Sequence, residues 1–461
     1  MSQDHEYDLV IFGGGTVGIA CFLDATLRGL RTAVIERRLI GRQTNANSLG
    51  LLQGGFKYIA TNAGLIAADS IDCGLLTKLV PHLVRKQPIL MPILDNSKFP
   101  PWFWERLFRA YDEYSYLRGV ENHRRLSPVE VYDEEPAIKL MTRGGMLFNE
   151  WATDPVNLAQ TLAGAAVKLG GTTYENCEII DSYQTTTDDG ERIERILVKQ
   201  NGETFWVWGS CFLNATGPWA PHFPKIFGLK PFEARPTKGT SIIINQRLTR
   251  NGVITFDHDN KYILLLPYGD GQTLIGPTNH DVGEDVRANP DLLRPEETEI
   301  RELLEIASTI TGKILTPEDV AEVRCGLRPQ LNHPGVKPDQ ITHDFIVDDH
   351  LERDGIMNLL YLCGGKFSNQ IRMAKEAIDL ACERMRGFGE WLEFKNWGVS
   401  QLLIKPDGKL QLLGCHQDCQ TAGLYDRECG LMLTDKVGRV ALEERMAALW
   451  RLFPFVLGIR R

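Results

Sequence analysis

The stretch that decides the fold runs from Tyr7 to Gly18, "YDLVIFGGGTVG": an apolar run of strand formers breaks into Gly13, Gly14 and Gly15, then Thr16, Val17 and Gly18. Behind it, "IACFLDATLRGL" spaces apolar side chains as a helix does, and "RTAVIE" reads as a second buried strand ending on Glu36. Strand, GxGxxG turn, helix, strand and carboxylate follow in order within about 30 residues, the arrangement a dinucleotide site requires. One glycine makes the tight turn, another admits pyrophosphate to the backbone, and a third lets helix and strand pack closely. The helix N-terminus then faces the phosphates, and Glu36 stands where it can accept hydrogen bonds from ribose hydroxyls. Arg37 and Arg38 follow the carboxylate and also suit a 2′-phosphate, so this unit alone leaves FAD and a nicotinamide cofactor both open.

The rest of the chain is large enough to build around such a unit. At 461 residues it exceeds what one hydrophobic core supports, and two or more packed lobes are expected. A net charge of -9 argues against a dedicated nucleic-acid surface and leaves a local basic pocket for a small anion open. The acidic opening "MSQDHEYD" has no basic n-region or apolar h-region of the kind a secretory signal carries, and no run approaches the ~18 apolar residues of a membrane span. A cytoplasmic location is therefore expected, with at most peripheral contact at the inner face of a membrane. The ten cysteines are scattered, and those in strand-like runs, such as Cys211 and Cys363, read as reduced and buried.

Two further glycine-rich breaks extend the pattern. "CFLNATGPWA" is an apolar strand that stops at Ala215, Thr216 and Gly217. "LLYLCGGKFSNQIRMAKEAIDLACERM" is again strand, paired glycine and a long helix with Ala374, Ala377, Ile378 and Ala381 on one face. Its N-terminus offers a second partial positive end, suited to the pyrimidine side of an isoalloxazine. Between these breaks, "KGTSIIINQ" and "KYILLLPYGDGQTLIGPT" are strand-like and share a Gly269-Asp270-Gly271 turn, which predicts an antiparallel sheet, and a helix is predicted from Glu296 to Ile310. The aromatic "FPPWFWERLFRAYDEYSYL" is expected to pack with that second sheet.

The succession "VIFGGGTVG", "GLLQGGFKYI", "TDPVNL", "NATGPW", "PTKGTSIII", "TLIGPTNHD", "CGLRPQL" and "GGKFSNQIRMA" resembles the FAD-dependent glycerol-3-phosphate dehydrogenases, flavoproteins of the D-amino-acid-oxidase-like superfamily, with the large subunit of the anaerobic enzyme the nearest in pattern. The resemblance covers roughly residues 7 to 388 and implies FAD. It implies an α/β fold: a Rossmann-like FAD-binding domain (1–95, 150–230, 321–390), a mostly antiparallel substrate domain (96–149, 231–320), and a C-terminal extension (391–461). It further implies that Gly13, Gly15, Thr16, Val17, Gly18, Glu36 and Arg37 serve the adenosine diphosphate half. Thr44, Asn47, Ser48, Gly54 and Gly55 approach the flavin, Ala215, Thr216 and Gly217 close the pyrophosphate side, and Gly365, Lys366 and Phe367 line the isoalloxazine.

Oxidising a secondary alcohol with a flavin needs an anchor for the substrate and a proton acceptor. The family's motifs place these roles here on Lys57, Tyr58, Arg328 and Lys366, with His343 a further candidate acceptor. Lys57 stands where many relatives have arginine, Ser241 near a position where some have histidine, and His343 where some have arginine. A point charge replaces a bidentate fork at Lys57, so a smaller anion such as a carboxylate is as reasonable a substrate as a phosphate. The reading is a dehydrogenase of sn-glycerol 3-phosphate, or of a related phosphorylated or carboxylated alcohol, passing electrons to a quinone or a partner protein. The alternatives are an oxidase or dehydrogenase of hydroxy or amino acids, and a flavin-binding subunit without its own chemistry. In the tail, Cys415, His416, Cys419 and Cys429 lack a standard metal spacing and are expected to be thiols, and "ALWRLFPFVLGIRR" to dock as a helix.

Overall fold

The computed structural model describes residues 5–56, 63–187, 190–256, 262–332, 334–336, 341, 344–387 and 402–412. Its strands form two large sheets. In the first, His5–Phe12 is flanked by Thr32–Ile35 and Glu203–Asn214, all parallel, with Thr172–Tyr174 and Leu359–Gly364 outside them. Four of these strands are apolar on both faces, the signature of a parallel sheet buried on two sides. One face carries the helices Thr16–Leu27, Pro155–Lys168 and Gln370–Gly387, whose Ile19, Leu158, Ala374 and Ile378 are buried together. The other face is covered by the hairpin Cys177–Thr187/Gly190–Gln200, through Ile193, Ile196 and Val198.

The second sheet has ten strands, nearly all antiparallel. It contains the predicted hairpin of Tyr262–Tyr268 and Gln272–Gly276 beside Thr237–Ile244. Val84–Leu94 and Val320–Arg328 also hydrogen-bond in this sheet, so both strands leave the segments that the sequence assigned to the first lobe. Leu94 pairs across to Thr142 and Arg328 to Thr237, and each strand gains its partner only when distant segments meet.

The helix Glu297–Thr311 packs on one face of this sheet through Leu303, Leu304 and Ala307. The aromatic helix Pro101–Asp112 packs on the other, where Phe103, Phe108 and Tyr111 join Ile243, Leu264 and Leu274. Phe56 belongs to the same cluster, stacked 4.9 Å from Phe148, and so ties the segment after Gly54 and Gly55 to the second sheet. No helix among the described residues is long and apolar enough to cross a membrane.

Candidate functional site

Parallel strands that end together leave a crevice beyond their carboxyl ends, and ligands of open α/β sheets bind there. In this chain the crevice is a cavity of about 580 Å³ between the first sheet and the edge of the second. The glycine turn Gly13–Val17, Glu36 and Arg37, Thr44 and Ser48, Gly55, Ala215–Gly217, Arg328, and Gly365–Phe367 all line it. Residues separated by hundreds of positions in sequence thus share one wall.

The glycine turn is fixed by its neighbours. Gly13 has φ +103°, which L side chains rarely adopt, and an added Cβ would lie 2.7 Å from the Ala215 carbonyl oxygen. At Gly18 a Cβ would lie 1.9 Å from the Gly13 oxygen, so the glycine acts by close packing and not on the cavity wall. Glu36 accepts the Gly14 N–H at 2.6 Å on one carboxylate oxygen and the Arg38 N–H at 2.7 Å on the other. Asn214, fully buried, accepts from the Thr216 hydroxyl at 2.7 Å and donates to the Ala220 carbonyl at 2.9 Å, which shapes the turn at Ala215–Gly217.

The wall is built for phosphate. Helix Thr16–Leu27 begins at Gly15 with no side-chain cap and no acid in its first turn, so its first N–H groups have no protein acceptor from a cap. The hydroxyls of Thr16 and Ser48 are buried on this wall without a hydrogen-bond partner. A buried hydroxyl left this way costs about 1–3 kcal/mol, which ligand oxygens would recover. A Cβ at Gly15 or Gly217 would meet no protein atom, so both face open room. These features fit the pyrophosphate of a dinucleotide.

Arg37 does not fit a 2′-phosphate receptor. Its guanidinium is taken bidentately by Asp291, at 2.9 Å on each side, and lies over the Trp219 ring at 5.2 Å.

At the opposite end, Arg328 and Tyr262 line the cavity beside Gly364–Ser368. Arg328 donates from Nη1 to the Lys238 carbonyl at 3.1 Å and to Asn279 Oδ1 at 3.0 Å, and from Nη2 to the Thr278 carbonyl at 3.0 Å. All three acceptors are neutral, and among the described residues no carboxylate forms an ion pair with it. Burial pulls its pKa down and also pushes the Tyr262 phenol up, but a guanidinium stays charged and Tyr262 stays protonated at neutral pH. The frame behind Arg328 is held by Glu299, which accepts from Thr278 at 2.8 Å and Thr240 at 2.9 Å and pairs with Lys238 at 3.1 Å.

Lys366 lines the cavity, yet its ammonium is engaged by buried Asp69 of helix Ala63–Leu79. Burial pushes the Asp69 carboxyl up and Lys366 opposes it. One turn on, Asp72 pairs with Arg372 at 2.9 Å. Burial pushes the Asp72 carboxyl up to about 6 despite that partner.

Like Gly18, the expected residues Asn47 and Gly54 sit behind the wall, as does Ser241. Asn47 accepts the Cys325 N–H at 3.2 Å, bridging to the second sheet. Ser241 is buried next to Gly276. Gly54 packs on a buried polar group: its N–H donates to Glu150 at 3.2 Å, Glu150 also accepts from the Tyr111 hydroxyl, and Arg118 stacks on the Tyr111 ring at 3.8 Å while donating to Ser70 at 3.0 Å. A Cβ on Gly54 would lie 2.1 Å from Arg118 Cδ. Lys57, Tyr58, His343, Cys415, His416, Cys419 and Cys429 lie outside the described residues, as does the terminal stretch 448–461. Tyr262, Trp219 and His222 line the cavity without having been singled out in the sequence, where Tyr262 reads as one more strand aromatic and the other two as turn residues.

Comparisons with known proteins agree with this geometry. The family model described as FAD dependent oxidoreductase matches residues 8–380. Over 390 residues the chain is 26% identical to a glycerol-3-phosphate dehydrogenase of Mycobacterium leprae; the match covers 82% of this chain and 63% of that protein, less than two thirds of its length. The fold is similar to that of a glycerol-3-phosphate dehydrogenase from Bacillus halodurans solved with FAD, at a TM-score of 0.63 and 20% identity, covering 84% of this chain and 66% of that one. It is also similar to an L-alpha-glycerophosphate oxidase from Mycoplasma pneumoniae with FAD bound, at a TM-score of 0.63 and 19% identity, covering 86% and 98%. With the family model spanning most of the chain and the phosphate-ready wall at its centre, the chain belongs to the FAD dependent oxidoreductase family.

Proposed function

We propose that this protein oxidises a small anionic alcohol, sn-glycerol 3-phosphate or a related phosphorylated or carboxylated one, and hands the electrons to a quinone or a partner protein. When bound, FAD supplies the acceptor for the substrate's hydride. The observation that carries the reading is Arg328: a charged guanidinium on the cavity wall, held only by neutral acceptors, so that its charge is left for a ligand. Three of its five N–H groups are used, which leaves Nε–H and one Nη2–H, neighbouring donors suited to two oxygens of an oxyanion. Tyr262 lines the same cavity.

Lys366 supports the flavin side of this wall through Asp69, and in this reading Lys57, Tyr58 and His343 supply the remaining cation and the proton acceptor. In this reading the electron acceptor is a quinone or a partner protein. The domain division seen in the sequence is part of the same proposal, with Val84–Leu94 and Val320–Arg328 moved to the substrate domain because they pair in the second sheet.

A second reading, oxidation of a hydroxy or amino acid, draws on the same residue. A single arginine fork fits a carboxylate as well as a phosphate, and the Lys366 charge is already met by Asp69. An anaerobic screen of flavin bleaching separates the readings. Bleaching by glycerol 3-phosphate supports the first, and bleaching only by a hydroxy or amino acid supports the second. Bound flavin that no small alcohol or amine reduces would leave a flavin-binding subunit without its own chemistry.

A further inference from the structure

A segment from the far lobe packs behind the wall at the Glu36 end of the cavity, against Arg37 and His222. The helix Glu284–Ala288 and the turn Pro290–Leu292 follow the second sheet, yet they reach back to the end of the Thr32–Ile35 strand. Asp291 takes both ends of the Arg37 guanidinium at 2.9 Å and lies 3.8 Å from Arg38. The Arg287 carbonyl is 2.6 Å from His222 Nε2. Arg37, Trp219 and His222 all line the cavity beside Glu36.

Two polar atoms there lack protein partners: Trp219 Nε1 and His222 Nδ1, both buried. With Nε2–H donating to the Arg287 carbonyl, a neutral His222 presents Nδ1 as an acceptor, and the indole N–H of Trp219 is a donor. One unused donor and one unused acceptor, under a guanidinium that stacks on the indole, suit a nucleoside with amino and hydroxyl groups.

We propose that Glu284–Leu292 is a latch on the adenosine half of FAD. The Arg37–Asp291 pair keeps Trp219 and His222 seated against the cavity, and its opening sets how fast FAD leaves. The latch joins the two sheets, so cofactor retention is coupled to their docking. Asp291 and Arg37 are partly exposed, at 34% and 47% of their side-chain area, so salt must weaken the pair.

The test is FAD release from the loaded protein, followed by the rise of flavin fluorescence after dilution into excess phosphodiesterase, which cleaves released FAD and so prevents rebinding. Asp291→Ala and Arg37→Ala should each speed release roughly two- to fivefold, the range a partly exposed bidentate pair supports. The double variant should be no faster than the faster single one, because both remove the same contact. Molar salt should speed release from the wild type and leave Asp291→Ala unchanged. His222→Phe, which keeps an aromatic ring but removes Nδ1 and the Nε2 contact to the Arg287 carbonyl, should also speed release. Wild-type release rates in Asp291→Ala, or additive effects in the double variant, would overturn the proposal.

Discussion

Gly239 lies on the neighbouring strand two residues on from Thr237, the partner of Arg328, and its lack of a side chain sets where the guanidinium lies. A Cβ at this position would stand 2.4 Å from Arg328 Nη2, 2.8 Å from Cζ and 2.9 Å from Nη1, whereas ordinary contact begins near 3.4 Å. In Gly239→Ala the guanidinium must therefore retreat by about 1 Å, and a misplacement of that size costs up to about 10²-fold in a positioned reaction. The retreat breaks at least one of the bonds to Lys238, Asn279 and Thr278, which span only 3.0–3.1 Å now. The obstructed group is the far end of a flexible side chain, so the fold and the glycine turn Gly13–Gly18 are spared. Steady-state kinetics with the anionic substrate should show kcat/KM lowered ten- to a hundredfold, with flavin content and thermal midpoint near wild type. Wild-type kcat/KM in a fully loaded variant would refute the role given to Arg328.

Other outcomes follow from the same contacts. Gly18→Ala puts a Cβ 1.9 Å from the Gly13 oxygen, an overpacking of about 1–3 kcal/mol at the phosphate turn, and should weaken FAD binding roughly ten- to a hundredfold in a fluorescence titration. Arg118→Met removes a guanidinium whose charge opposes the burial of Glu150 and the donor to Ser70, and should cost about 1–3 kcal/mol in urea unfolding, with part of the loss restored by adding Glu150→Gln. Asp72 has its carboxyl raised from 3.8 to about 6, so the folded state holds that proton more tightly than the unfolded one. Its contribution to stability is present below about pH 4 and lost as pH rises to about 6. Wild type should therefore lose about 3 kcal/mol relative to Asp72→Asn across that window, at ~1.4 kcal/mol per pKa unit, as read from unfolding midpoints at each pH.

The dinucleotide wall was legible because its signal is local. Strand, glycines, helix and Glu36 lie within one short run, and their physics does not depend on the rest of the chain. The two later glycine breaks were legible for the same reason, and the strands Glu203–Asn214 and Leu359–Gly364 carry them to the cavity. Partnership at a distance was not legible. Nothing near Arg37 signals that Asp291, 254 positions on, takes its guanidinium, and nothing near Lys366 points to Asp69, 297 positions back. The pair Gly54 and Gly55 looked like one device for approaching a flavin. The structure divides them: Gly55 lines the cavity at φ +88°, whereas Gly54 makes room for Arg118 and donates to Glu150. The sheet that Val84–Leu94 joins was not legible either, because a strand reads alike in either sheet until its pairing with Thr142–Thr153 is seen.

The claim that an uncompensated Arg328 selects an anionic substrate is tested most directly by stopped-flow reduction of the bound flavin under anaerobic conditions, comparing wild type with Arg328→Gln. Wild type should be reduced by glycerol 3-phosphate and far more slowly by glycerol. In Arg328→Gln the half-saturating concentration of glycerol 3-phosphate should rise on the order of 10²-fold, as expected for loss of a charged hydrogen-bond pair worth about 2–3 kcal/mol, while the rate with glycerol stays the same. Equal half-saturation in the two proteins, or equal reduction of wild type by glycerol and glycerol 3-phosphate, would contradict the account.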